Sequence, residues 1–159
     1  MNIFVLHYCP KRAARMQCDK HIVKMPLETA QMLCTVLHRY GLPSPYRATH
    51  KAHPCTVWAG DTRLNFGWLG EHGLALCREY TRRYKRTHKC EAVIRDALLQ
   101  IGCIPAGPQT PFPQAMPEEY RSPDAVESYR QYYQQEKARI AVWKYSDTPA
   151  WWGKEVSNG

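Results

Sequence analysis

Between Lys20 and Tyr40 the positions Ile22, Met25, Thr29, Met32, Val36 and Tyr40 recur at three- and four-residue steps, the period of an amphipathic helix. Asp19 stands where a helix cap is needed, and Gly41, Pro43 and Pro45 close the segment. Pro26 removes one amide donor, so it predicts a kink or a place in the first turn. A second periodic segment runs from about Thr56 to Lys85, with Val57, Leu64, Trp68 and Ala75 on one face. Gly60, Gly67, Gly70 and Gly73 interrupt it, which predicts close backbone approach there or a break near one of them. Pro10 opens a short helix through KRAARMQC, and CEAVIRDALLQIG is another that Gly102 ends. Asp124 starts a last helix that is expected to run to about Trp143.

What lies between these helices is apolar or rich in proline. Residues 1–8 are an apolar opening, expected as a short strand or a buried extended arm. The stretch IPAGPQTPFPQAMPEEYRSP, 104–123, carries too many prolines for regular structure, with Phe112, Met116 and Tyr120 as anchors across a surface. The expected fold is therefore mainly α, one helical domain over residues 1–159 with a long Pro-rich loop.

Composition narrows the classes of function. The net charge is +8, which points to an anionic partner, with nucleic acid the commonest for a small protein. No apolar run approaches the length of a membrane span, so no membrane partner is expected; the chain is separately expected to be cytoplasmic and a monomer. The seven cysteines are odd in number and scattered, the pattern of reduced thiols. Cys18 with His21, and His50 and His53 with Cys55, each lack a second well-spaced pair of ligands, so neither a metal nor another cofactor is expected.

The charge is concentrated. REYTRRYKRTHK, 78–89, sets Arg78, Arg82, Arg83, Lys85 and Arg86 among Tyr80 and Tyr84, a composition suited to phosphate contact and stacking. Lys11, Arg12, Arg15, Lys20 and Lys24 form a second cluster. Within CDKHIVKMPLET, His21, Lys24 and Glu28 lie at i, i+3 and i+7 and share one helix face. A Lys crowded by another cation is activated as a nucleophile, and a carboxylate beside it shuttles protons or stabilises positive charge. The same spacing also fits a plain surface ion pair between Lys24 and Glu28.

Three stretches together resemble the small pyrimidine-dimer DNA glycosylase/AP lyase family of phages and bacteria. They are ARMQCDKHIVKMPLETAQML, HPCTVWAGDTRLNFGWLGEHGLALCREYTRRY and MPEEYRSPDAVESYRQYYQQEKARIAVWKYSDTPAWW, over half the chain in the family's order. The resemblance implies a helical DNA-repair enzyme that flips a nucleotide from the duplex. It also implies attack on the sugar C1′ by the N-terminal α-amine, an imine intermediate and β-elimination, with an acidic residue of the early helix essential. Carried onto this chain, Lys20 and Lys24 fall at basic, phosphate-contacting positions. His21 falls where dimer-specific members place the catalytic Glu, and Glu28 matches an acidic position of the bacterial relatives. The start departs as well: Met1-Asn2 is a poor context for methionine removal, so the amine is expected to be that of Met1, crowded by a longer side chain.

The expected activity is cleavage of the N-glycosidic bond of a damaged or modified nucleotide, with or without strand nicking. The candidate catalytic residues are Met1, His21, Lys24 and Glu28; Lys20, His50, His53, Arg78, Arg82, Arg83, Lys85 and Arg86 are candidate DNA contacts. Two alternatives stand beside this: a DNA-binding protein of the same fold without chemistry, and an enzyme acting on a nucleotide or hypermodified base.

Overall fold

A computed structural model describes residues 1–153. Among these there are six α-helices and no strand: α1 (Pro10–Arg15), α2 (Asp19–Arg39), α3 (Pro54–Asp61), α4 (Arg63–Tyr84), α5 (Glu91–Leu98) and α6 (Ala125–Glu136). The mainly α expectation holds. Helix α4 is the central element and packs against α1, α2, α3 and α5, while α2 also contacts α3 and α5. The apolar face of α2 supplies Ile22, Met25, Met32, Leu33, Val36 and Leu37 to one core, where they meet Phe66, Leu69 and Leu76 of α4. Gly70 and Gly73 are what let the neighbours in. A Cβ on Gly70 would lie 2.2 Å from Leu98 Cδ2, and one on Gly73 would lie 2.7 Å from Thr29 Cγ2.

Four boundaries differ from those the pattern predicts. Helix α5 ends at Leu98, and Gly102 lies in a separate 3₁₀ turn, Ile101–Cys103, instead of closing the helix. The segment 56–85 is two helices, and the break falls at Thr62 rather than at a glycine. Thr62 is extended at φ −141°, and its hydroxyl accepts from the Asn65 N–H, which caps α4. Helix α6 ends at Glu136 and not near Trp143, because the following chain is drawn back onto α1 and α2. There the Trp143 indole donates to the Met16 carbonyl and Asp19 N–H donates to the Val142 carbonyl. Asp19 is not the cap of α2 either: Cys18 holds that position, and the Asp19 carboxylate is taken by Arg83 and by the Lys144 N–H. Pro26 sits inside α2, leaving the carbonyl one turn earlier without its helical donor.

Residues 1–8 form an irregular arm without strand pairing, buried from Asn2 to Leu6 and exposed at Tyr8. Ile3, Val5 and Leu6 are fully enclosed, and the Asn2 side-chain oxygen accepts from both Ile3 and Phe4 N–H groups. The Pro-rich segment is irregular apart from a 3₁₀ turn at Glu118–Tyr120. Its anchors are those expected: Phe112 packs on Trp58 and Trp68, Met116 is buried, and Tyr120 lies against Tyr132. Among the described residues no helix is long and apolar enough to cross a membrane.

Candidate active site

The buried arm and α2 meet at a carboxylate. Met1 N lies 3.5 Å from Glu28 Oε1, and the Asn2 N–H donates to the same oxygen at 3.1 Å. Lys24, one turn earlier on α2, approaches Oε2 at 3.6 Å. Glu28 itself is nearly enclosed, so its two oxygens are held from three sides. The Met1 side chain is 3% exposed while the residue as a whole is only half-buried. Its accessible surface therefore lies at the backbone end. The expected crowding of the amine is not found, because the thioether chain packs into the core.

The loop before α3 closes a second side. His53 caps α3, its Nδ1 accepting from the Cys55 N–H. Its pKa is lowered, first by burial and then by the positive charges of the terminal amine and His50. His50 is exposed and adopts a left-handed backbone at φ +49°, with its carbonyl accepting from the His53 N–H. Asn2 secures the arm further, donating from Nδ2 to the Ala115 carbonyl of the Pro-rich loop at 2.8 Å.

His21 shares the helix with Lys24 and Glu28 but is turned into a different environment. Its ring stacks on Phe4 at 4.5 Å, and Nδ1 lies 2.7 Å from the Tyr133 hydroxyl, which also accepts from the Cys18 N–H. Burial, with smaller contributions from Lys137 and Lys24, lowers its pKa to about 4. A neutral imidazole wedged in this way supports Phe4, whose backbone is left-handed at φ +45°. The structure thus pairs Glu28, and not His21, with the amine. Asn2, Phe4 and Tyr133 also shape the site and were not among the candidates. An asparagine that bonds the next two amides is a recognised turn former, so Asn2 was the one with a readable signal.

The candidate DNA contacts divide by exposure. Lys20, Arg78, Arg82, Lys85 and Arg86 are exposed, though Arg82 is ion-paired with Glu79. Arg83 is not at the surface. Its guanidinium is fully enclosed, reaching Glu79 at 2.9 Å, Asp19 at 3.1 Å and the carbonyls of Gln17 and Arg15. It ties α4 to the turn between α1 and α2. The Lys85–Lys89 segment is joined to the site helix through His88, whose Nε2 lies 3.0 Å from the Val23 carbonyl.

A family model described as pyrimidine dimer DNA glycosylase matches residues 1–92, more than half of the chain, and the chain belongs to that family. The matched region holds Met1, His21, Lys24, Glu28, His50, His53 and the basic end of α4, and so covers the first two of the three resembling stretches. The third lies beyond it. No curated protein and no solved structure matches the chain. The family makes DNA the partner and supports a function of the DNA glycosylase type.

Proposed function

We propose that the chain removes a damaged or modified base from duplex DNA, with the Met1 α-amine as nucleophile and Glu28 as proton acceptor and cation stabiliser. The observation that carries this reading is the amine and carboxylate held 3.5 Å apart with the Met1 side chain tucked away. The target nucleotide leaves the stack, at a cost of a few kcal/mol, because C1′ is out of reach inside the duplex. The neutral amine then attacks C1′, and the bond from C1′ to the base breaks with its electron pair going to the base. Glu28 takes the proton shed by the attacking nitrogen. The nitrogen lone pair then forms the C=N bond as the C1′–O4′ bond breaks, O4′ taking the proton back from Glu28, and this ring opening leaves an imine between Met1 and C1′. Loss of a proton from C2′ then expels the 3′ phosphate, and this β-elimination nicks the strand. Asn2 and Lys24 fix the two Glu28 oxygens, while Lys20, Lys85 and Arg86 hold backbone phosphates. His21 acts here by supporting Phe4 and the arm rather than by proton transfer, since it stays neutral down to about pH 4.

Borohydride trapping on duplex DNA with an abasic site tests this directly. Wild type forms a covalent adduct, blocking the terminal amine abolishes it, and Glu28→Gln reduces its rate by on the order of 100-fold. An adduct that survives the block moves the nucleophile to a lysine, Lys24 first. Tight binding with no adduct and no released base across a panel of lesions would leave the chain a DNA-binding protein without chemistry.

A further inference from the structure

Glu28 and Thr35 are seven residues apart on α2, which puts them on one face about 10 Å apart along the axis. At Thr35 this face opens into a cavity of about 220 Å³, lined by Thr35, Val36, His38, Arg39, Lys51, Thr56 and Val57. Its floor is Thr35, Val36 and Thr56, all buried, and its rim is the exposed His38, Arg39, Lys51 and Val57. None of the lining side chains is a carboxylate. Arg39 is braced across α3, with Nη1 donating to Asp61 at 3.3 Å and to the Val57 carbonyl at 3.5 Å, and Gly60 leaves the room for it. Thr56 is in the first turn of the eight-residue α3, is 3% exposed, and its hydroxyl has no hydrogen-bond partner. A buried hydroxyl without a partner within the fold is uncommon and costs stability.

We infer that this cavity holds one nucleotide unit of the DNA strand being processed, one or two positions from the reacting sugar. The Lys51 and Arg39 cations take its phosphate, the Thr56 hydroxyl, enclosed in the free protein, turns to join them, and Val36 and Val57 pack against its sugar. Several features fit that ligand and not a bare anion. The volume exceeds a phosphate, part of the wall is apolar, and the distance to Glu28 is that of one to two backbone repeats rather than of the reacting nucleotide itself. The inference rests on the proposed reaction site at Met1 and Glu28 for its position on the strand, but its test does not need chemistry.

The test is binding to a duplex carrying a tetrahydrofuran site, which cannot form an imine, titrated over a range of salt. Thr56→Val should unfold at the same temperature as wild type or higher, since it removes an unpartnered hydroxyl, yet bind roughly tenfold more weakly. Thr56→Ser should bind like wild type. Lys51→Gln, at an exposed position, should lower the slope of log affinity against log salt by about one. Ethylation of one phosphate, one or two nucleotides from the site, should interfere with wild-type binding and lose that effect in Lys51→Gln. Wild-type affinity and salt slope in both Thr56→Val and Lys51→Gln would overturn the assignment. So would deoxynucleoside monophosphate binding that depends on Lys51 while DNA affinity does not. Because trapping on a true abasic site is read separately, a failed adduct with an altered Lys51 slope counts against the chemistry alone, and the reverse counts against the cavity alone.

Discussion

His21 and His72 occupy the interior as neutral rings, and this sets how the protein answers to acid. Burial is the first cause in both, and each pKa falls to about 4. His72 is fully enclosed between the Pro10 carbonyl at 3.0 Å and the Gln17 amide at 3.2 Å. In the unfolded chain both titrate near 6.5, so between pH 6.5 and 4 the unfolded state holds protons the folded state does not. Stability is therefore full above pH 6.5 and declines as pH falls toward 4, by on the order of 3 kcal/mol for each histidine. Glu79 and Asp124, whose carboxyls are held below 4.5 and 3.8, lose their contribution only lower down, so the slope from pH 6.5 to 5 belongs to histidine. Urea unfolding should show proton uptake that rises as pH falls from 6.5 to 5, with smaller additions from His7 and His53, whose pKa values are also lowered, and near pH 5 His72→Gln or His21→Gln should each remove about one proton. A flat profile would mean that these rings already carry charge in the folded state. At this scale the sequence was legible where spacing alone decides: Lys24 and Glu28 do share a face. It was misleading for Arg83, because a cation that closes on Asp19 across the fold reads the same as one on the surface.

Helix α4 shows what the hydrophobic period can and cannot carry at the next scale. Its apolar stripe was readable, but its beginning depended on one hydroxyl, at Thr62, bonding the Asn65 N–H, a local signal weaker than the glycines around it. The far end of α6 was unreadable for a different reason, since Trp143 and Val142 are held by partners more than a hundred residues away in sequence. The glycines had the role the pattern gave them, close approach. Gly73 faces Thr29 of α2 and Ile94 of α5 at once, with a Cβ there 2.7 Å from the first and 3.1 Å from the second. Gly73→Ala gains about 1 kcal/mol of helix propensity but must displace two packed side chains, at about 2–3 kcal/mol. A net loss of about 1–2 kcal/mol in urea unfolding is expected. Gain of stability on that substitution would show that the α2–α4–α5 contact has slack. The position of the proposed reaction site depends on this contact, because Thr29 is next to Glu28.

Over the whole molecule, a charge of +8 attracts DNA without saying where it lies, and the fold supplies the missing term. Lys20 and Lys24 lie on the helix that carries Glu28, and the chain from Lys85 to Lys89 is fastened to that same helix by His88 at the Val23 carbonyl. Lys11 and Arg12 belong instead to α1, which packs on α4. If the reaction site is at Met1 and Glu28 as proposed, a duplex centred there is expected to engage Lys20, Lys85 and Arg86 more than α1. Each phosphate contact contributes about one to the dependence of log affinity on log salt. Lys85→Glu with Arg86→Glu should weaken binding to an abasic duplex by on the order of tenfold or more at moderate salt and flatten the salt slope by about two. Lys11→Glu with Arg12→Glu makes the same change in net charge, and its effect should stay within about threefold, the part due to the long-range field. Equal losses from the two pairs would mean that attraction is a property of total charge, and that the reaction site does not choose the path of the DNA. A larger loss from the α1 pair would put the duplex across α1 and α4, away from the amine and the carboxylate, and the strand could then reach Glu28 only by bending sharply.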